Sequence, residues 1–206
     1  MGADERAFSK IECEGSEMHY IKWLVPLKNE SIGDYSKRLT HQIHHPEPIL
    51  IGLSFGGIMC IEISKHIKTK AIILISTIKQ DKELPAWMKL SGKVRLHKIL
   101  PLHSFRLIEP FENYKLGIET AEERKMVHEF RMTVSQRFVN WAIDAVLNWK
   151  SEEIPPNTYH IHGSKDRIFP VRNVKADHVI NGGHMMVMNR SKEVSESINA
   201  ILRKIS

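Results

Sequence analysis

Three residues whose side chains cooperate in acyl transfer follow separate apolar runs of this sequence. Ser54 stands in Gly52-Leu53-Ser54-Phe55-Gly56, a G-x-S-x-G motif directly after Ile49-Leu50-Ile51. Asp166 and then His184 come later in the chain, each just past a predicted strand. A histidine can remove the proton of a serine hydroxyl, and a carboxylate can hold that histidine in place. The order and the context of the three residues therefore predict a serine hydrolase.

The motif around Ser54 is typical of a sharp turn between a strand and a helix. A nucleophilic serine must stand at the tip of such a turn, with its hydroxyl facing a cleft. We expect Gly52 and Gly56 to remove side chains that would collide in the turn, and Gly57 to let the helix approach the strand. The N–H of Phe55 would lie at the start of the helix, where it could donate to a developing oxyanion.

The acid and the base each have an ordinary structural alternative. Asp166 follows Gly163-Ser164-Lys165, and aspartate is favoured in such turns whatever its function. We expect Asp166 to orient the histidine, with Asp81 as the reserve candidate. His184 follows Asn181-Gly182-Gly183 and could be a surface-loop residue, but as the last member of the Ser-Asp-His order it is the expected general base.

Short apolar runs alternate with helical patterns, which predicts a parallel sheet flanked by helices. The predicted strands are Met18–Val25, Ile49–Leu53, Ala71–Ile75, Thr158–Ile161 and Ala176–Ile180. Helices are predicted after a Ser31 cap, over Ile58–His66 and at the C-terminus. Residues 80–150 show helical periodicity without a clear strand. We therefore predict an α/β core of residues 1–79 and 151–206 with a helical cap insertion at 80–150, in a single domain overall.

The composition and charge of the sequence bear on which functional classes are expected. The net charge of +6 allows nucleic-acid binding, yet we find no nucleic-acid motif and expect no such partner. No apolar run approaches 18 residues, and the charged N-terminus does not resemble a secretory signal. Two cysteines and scattered histidines, including the alternating His160 and His162, predict no metal site. A cytoplasmic protein with reduced thiols and no membrane association is expected.

The elbow at Ser54, the turn Gly163-Ser164-Lys165-Asp166 and the Gly-Gly-His turn at His184 resemble the α/β-hydrolase superfamily. Within it the chain is most similar to small bacterial esterase-like members. The resemblance implies a helical cap and catalysis without a metal or an organic cofactor. It also implies a strand and a glycine-containing oxyanion loop near the start. That first strand is missing from the sequence, as if the N-terminus were truncated, and Ala3, just after Gly2, is the candidate for the second oxyanion donor beside Phe55.

The predicted substrate is a small molecule, an apolar ester being favoured, while thioester and amide substrates use the same triad. The cap would cover it with apolar side chains, most of which should be ordinary packing: Trp87, Met88, Leu102, Phe105, Phe111, Phe130 and Trp141. The alternative function is a catalytically weak or inactive binding protein with the same fold. The sequence assigns neither individual substrate-binding residues nor an oligomeric state.

Overall fold

Four parallel strands form one sheet in the order β1-β2-β3-β4. The computed structural model describes residues 3–93 and 105–205. The strands are β1 (Ile49–Leu53), β2 (Ala71–Ile75), β3 (Thr158–Gly163) and β4 (His178–Ile180). The predicted α/β class is therefore confirmed, although β4 is shorter than the predicted strand.

Eight α-helices are described, together with short 3-10 turns. The helices are α1 (Ile32–Leu39), α2 (Phe55–Ser64), α3 (Ala86–Lys93), α4 (Phe105–Leu116), α5 (Ala121–Thr133), α6 (Gln136–Asn148), α7 (Met186–Asn189) and α8 (Ser191–Ile205). The 3-10 turns are Glu5–Phe8, Thr40–Gln42, Asp81–Glu83 and Val171–Asn173. Within these described ranges, no helix has both the length and the apolar character needed to cross a membrane.

The core consists of two apolar layers, one on each face of the sheet. Every residue of β2 is buried, because helices cover both of its faces. One layer joins the sheet to α1, α2 and α6, and the other joins it to α7, α8 and the turn Glu5–Phe8. Ser31 caps α1 as predicted, since its Oγ accepts from the Asp34 N–H at 3.0 Å.

Between β2 and β3, the described residues form helices and a 3-10 turn but no strand. Phe130 and Trp141 pack in or against the core, whereas the Trp87 and Phe111 side chains are more than half exposed. Leu102 lies outside the described residues, and only the backbone of Phe105 is described. The division into core and cap at residues 80–150 stays a prediction.

The predicted strand Met18–Val25 is wrong, because this segment pairs with no strand in the part of the chain that the structure describes. Its polar backbone groups bond to side chains instead. The N–H and C=O of Lys22 bond the Gln42 amide, and those of Leu24 bond the Tyr35 hydroxyl. A run of apolar residues is not enough for a strand, which also requires a neighbour with matching backbone groups.

β1 is an edge strand of this sheet. Ser54 N–H donates to Ile75 O at 2.9 Å and Lys70 N–H donates to Pro48 O at 3.0 Å, so the even-numbered residues bond β2. The backbone groups of the odd-numbered residues Ile49, Ile51 and Leu53 point away from β2. Residues of this edge and of the segment His19–Trp23 line one cavity of about 470 Å³.

Candidate active site

The turn between β1 and α2 holds Ser54 in a backbone conformation that few side-chain residues adopt. Its φ of 54° and ψ of −119° lie in the left-handed half of φ/ψ space. The Ser54 C=O accepts from Thr77 Oγ1 at 2.7 Å and from the Gly57 N–H at 3.0 Å. The Thr77 bond ties the turn to the residues that follow the neighbouring strand β2.

The three glycines of the turn have different steric roles. A Cβ on Gly52 would lie 2.4 Å from the Gly56 carbonyl oxygen, and one on Gly57 would lie 2.5 Å from Thr77 Cγ2. Both expectations therefore hold. The expectation for Gly56 is wrong, since a Cβ there meets nothing within 4 Å. Gly56 faces open space, and the close approach between helix and strand occurs one residue later.

The structure brings the three predicted residues into one chain of hydrogen bonds. Ser54 Oγ lies 2.8 Å from His184 Nε2, and His184 Nδ1 lies 2.8 Å from Asp166 Oδ2. Asp166 Oδ1 accepts from the N–H groups of Ile168 and Phe169, at 2.7 and 2.9 Å. Because a carboxylate accepts from Nδ1, the Nε2 atom of a neutral His184 is free to accept the serine proton.

The carboxylate of Asp166 is buried and kept charged by its hydrogen bonds. Burial by itself would raise the pKa of Asp166. The His184 imidazole and the Phe169 N–H outweigh burial and hold this pKa below its ordinary value of 3.8. A negative charge is therefore available beside His184 at neutral pH.

Two turns at the carboxyl ends of β3 and β4 place Asp166 and His184. Ser164 N–H donates to Ile180 O at 2.8 Å, and Lys165 N–H donates to Gly182 O at 2.9 Å. A Cβ on Gly163 would lie 2.4 Å from Gly182 O, so glycine is required for the two turns to touch. Asp81, the reserve acid, lies in its own 3-10 turn and pairs with Lys150 at 3.2 Å.

Both candidate oxyanion donors lie at the same cavity as Ser54. Phe55 is the first residue of α2, and its N–H donates to no group in the described part of the chain. The Ala3 C=O accepts from Trp23 Nε1 at 3.0 Å, and the Trp23 ring stacks on Phe55 at 5.6 Å. The Trp23 side chain thus links the segment of Ala3 to the start of α2.

The cavity receives its apolar lining from the core, from the N-terminal segment and from Leu116 at the end of α4. Its apolar side chains include Phe8, Leu39, Met59, Ile63 and Leu116. Among the described cap side chains predicted to cover a substrate, namely Trp87, Met88, Phe111, Phe130 and Trp141, none lines this cavity. The sequence predicted an apolar surface in the cap because it does not show that β1, in the described sheet, has a strand neighbour on one side only.

Two features of the site escaped sequence reasoning. The Thr77 hydroxyl donates to the Ser54 carbonyl, and the sequence indicates this role only through the place of Thr77 just past a buried strand. His160 and His162 were considered only as metal ligands. Their spacing of two residues on a strand puts both side chains on one face, and His162 Nε2 lies 3.6 Å from Asp166 Oδ2.

The sequence matches no protein-family model. It also matches no curated protein. Solved structures are similar to it, among them a thermophilic esterase with a TM-score of 0.66 and 17% identity, covering 100% of this chain and 87% of that chain. A lipase-esterase related protein from Clostridium acetobutylicum ATCC 824 has a TM-score of 0.62 and 12% identity, covering 97% and 90%. The chain has the α/β-hydrolase fold.

The α/β-hydrolase fold does not by itself fix the reaction. An epoxide hydrolase from Bacillus megaterium is also similar, with a TM-score of 0.59 and 12% identity, covering 84% of this chain and 76% of that chain. Since enzymes that catalyse different reactions share one fold, the reaction has to be argued from the site residues.

Proposed function

We propose that the protein is a serine hydrolase that cleaves a carboxylic ester through an acyl-enzyme on Ser54. The observation that carries the proposal is the unbroken chain from Ser54 Oγ through His184 to Asp166, with 2.8 Å at each step. The positive φ of Ser54 supports it further, since strained backbone is retained where function needs it.

In the proposed mechanism, His184 Nε2 takes the Ser54 proton as Oγ attacks the ester carbonyl carbon. The resulting oxyanion accepts from the Phe55 N–H and the Ala3 N–H. His184 then gives the proton to the departing alcohol, which leaves the acyl group on Ser54. A water molecule attacks this acyl-enzyme as His184 takes its proton, and the carboxylic acid and free Ser54 are regenerated.

The cavity beside Ser54 supports the proposed substrate class. Its lining is largely apolar and its volume is about 470 Å³. Such a space accommodates a medium-length acyl or alkyl group, so an apolar ester is the proposed substrate. Thioesters and amides can be cleaved by the same mechanism and are alternative substrates. A cytoplasmic location also stays a prediction.

The test is hydrolysis of p-nitrophenyl esters of increasing acyl length by wild-type protein and Ser54→Ala. Ser197→Ala, at a half-buried serine on α8, is the matched control because within the described residues its Oγ donates to the Glu193 carbonyl alone. We expect Ser54→Ala to abolish turnover and labelling by a fluorophosphonate, while Ser197→Ala retains both. Equal turnover in wild-type protein and Ser54→Ala would overturn the proposal.

A second candidate function is ligand binding without efficient turnover. It is favoured by the unpaired edge of β1 and by the dependence of the second oxyanion donor on the Ala3 segment. Folded wild-type protein that binds apolar esters but neither hydrolyses them nor reacts with the fluorophosphonate would support this function instead.

A further inference from the structure

Two fully buried histidines lie directly behind the carboxylate of Asp166. His160 and His162 have no solvent-exposed surface, and their rings meet edge to face with centroids 4.9 Å apart. A buried polar ring is costly unless its nitrogens find partners. The proposed proton transfer uses neither ring, so the burial of the two histidines needs another explanation.

Their hydrogen-bond partners determine the tautomer of each ring. His162 Nε2 lies 2.7 Å from the Phe169 carbonyl oxygen, which can only accept, so this nitrogen carries the hydrogen. In a neutral ring, His162 Nδ1 is then an acceptor. It lies 3.0 Å from His160 Nε2, which must therefore be the donor.

Both rings are held in the neutral form. Burial, with His162 and Lys79 nearby, lowers the pKa of His160 from 6.5 to about 3. Burial also lowers the pKa of His162, against the opposing effect of Asp166. The titratable groups that face His162 are His160 on its own strand, Asp166 and His184 on the two turns, and Lys79 after β2. A neutral His162 leaves the charge of Asp166 available to His184.

Phe169 connects His162 to both partners of the catalytic pair. Its C=O accepts from His162, and its N–H donates to Asp166 Oδ1 at 2.9 Å. Its ring packs against the His184 ring, with centroids 5.7 Å apart. A displacement of the Phe169 backbone would therefore move Asp166 and His184 together.

We propose that His162 is a positioning residue for the Asp166–His184 pair, acting through Phe169, and that His160 acts by fixing the tautomer of His162. The proposal rests on the function proposed above. His162 does not touch the reacting atoms. Its role is to hold the Phe169 carbonyl, and with it the turn that orients the general base.

The test compares His162→Leu, which removes the donor, with His162→Gln, whose amide N–H can replace the imidazole Nε2–H. We expect His162→Leu to lower kcat for p-nitrophenyl esters about tenfold to a hundredfold, the scale of a small misplacement of catalytic groups. KM should change less than about twofold, because ground-state binding is not affected. His162→Gln should recover most of the lost kcat.

Two further readouts separate positioning from a purely structural role. The acid limb of kcat/KM should move to lower pH in His162→Leu, because a displaced carboxylate stabilises the His184 imidazolium less well. The low-field proton resonance of the His184 Nδ1–H, assigned by its loss in His184→Ala, should weaken or disappear in His162→Leu and return in His162→Gln. A variant that loses thermal stability but keeps this resonance and this limb would overturn the proposal.

His160→Leu provides a second route if His162→Leu does not fold. It leaves His162 in place but removes the donor to Nδ1, so we expect a several-fold loss of kcat and a weaker low-field resonance. An unchanged resonance and kcat in folded His160→Leu, or the loss of both in folded His162→Gln, would overturn the proposal. The resonance is measured in the resting protein, so it distinguishes failure of this inference from failure of ester hydrolysis itself.

Discussion

The Ala3 N–H is the second proposed oxyanion donor, and unlike the Phe55 N–H it does not lie at the start of an α-helix. Its position depends on the hydrogen bond from Trp23 Nε1 to the Ala3 carbonyl. Ala3→Pro removes this N–H, so we expect kcat for p-nitrophenyl esters to fall by about 10²–10³ with little change in KM. Ala3→Ser keeps the N–H and is the control. Trp23→Phe loses only the hydrogen bond and should cost less. A rate in folded Ala3→Pro within twofold of wild type would exclude Ala3 as a donor.

Asp166 links the same site to acid stability. Its pKa in the folded protein lies below the ordinary 3.8, although burial alone would raise it, because His184 and Phe169 stabilise the carboxylate. The resulting stabilisation is present above the unfolded-state pKa and is lost as the pH falls through the folded-state pKa. We expect the free energy of unfolding of wild type to exceed that of Asp166→Asn at pH 5, and the difference to shrink in more acid solution. Urea titrations of both proteins at several pH values measure it; a difference independent of pH would contradict this assignment.

At the scale of elements, the turn between β1 and α2 depends on two of its three glycines. We expect Gly52→Ala to lower the free energy of unfolding by more than about 3 kcal/mol, since its Cβ would collide with backbone. Gly56→Ala is the matched control in the same turn. It should raise stability by about 0.5–1 kcal/mol, because alanine is the better helix former and its Cβ has open space. Urea unfolding measures the stability of both variants. Equal losses of stability would show that position 52 has no stricter need for glycine than position 56.

The elements that sequence predicts well here are those whose signal is local. β1 and β2 are continuous apolar runs between turn residues, and the structure places both where the runs predict them. The approach of Asp166 to His184 follows from topology, since the carboxyl ends of parallel strands share one edge. Met18–Val25 could not be assigned correctly, because strand formation depends on a partner distant in sequence. The tautomers of His160 and His162 likewise depend on Phe169, which only the folded turn brings near.

At the scale of the whole molecule, the sheet formed by the described residues has an unpaired edge beside the candidate nucleophile. The N–H and C=O groups of Ile49, Ile51 and Leu53 face a cavity rather than another strand, and such edges pair readily with a second chain. We therefore expect self-association that rises with protein concentration. Ile49→Lys should reduce it, because a charge on an edge strand disfavours pairing.

The opposite edge of the sheet provides the control for this prediction. Val179 on β4 is 56% exposed, so Val179→Lys adds the same charge to an edge without the cavity. Sedimentation velocity over a range of concentrations measures association for wild type and both variants. A larger effect of Val179→Lys would locate self-association at β4, and no association in wild type would mean that the His19–Trp23 segment protects β1 adequately. Loss of association in Ile49→Lys alone would make the β1 edge, and with it the wall of the candidate active site, the surface through which copies of the protein meet.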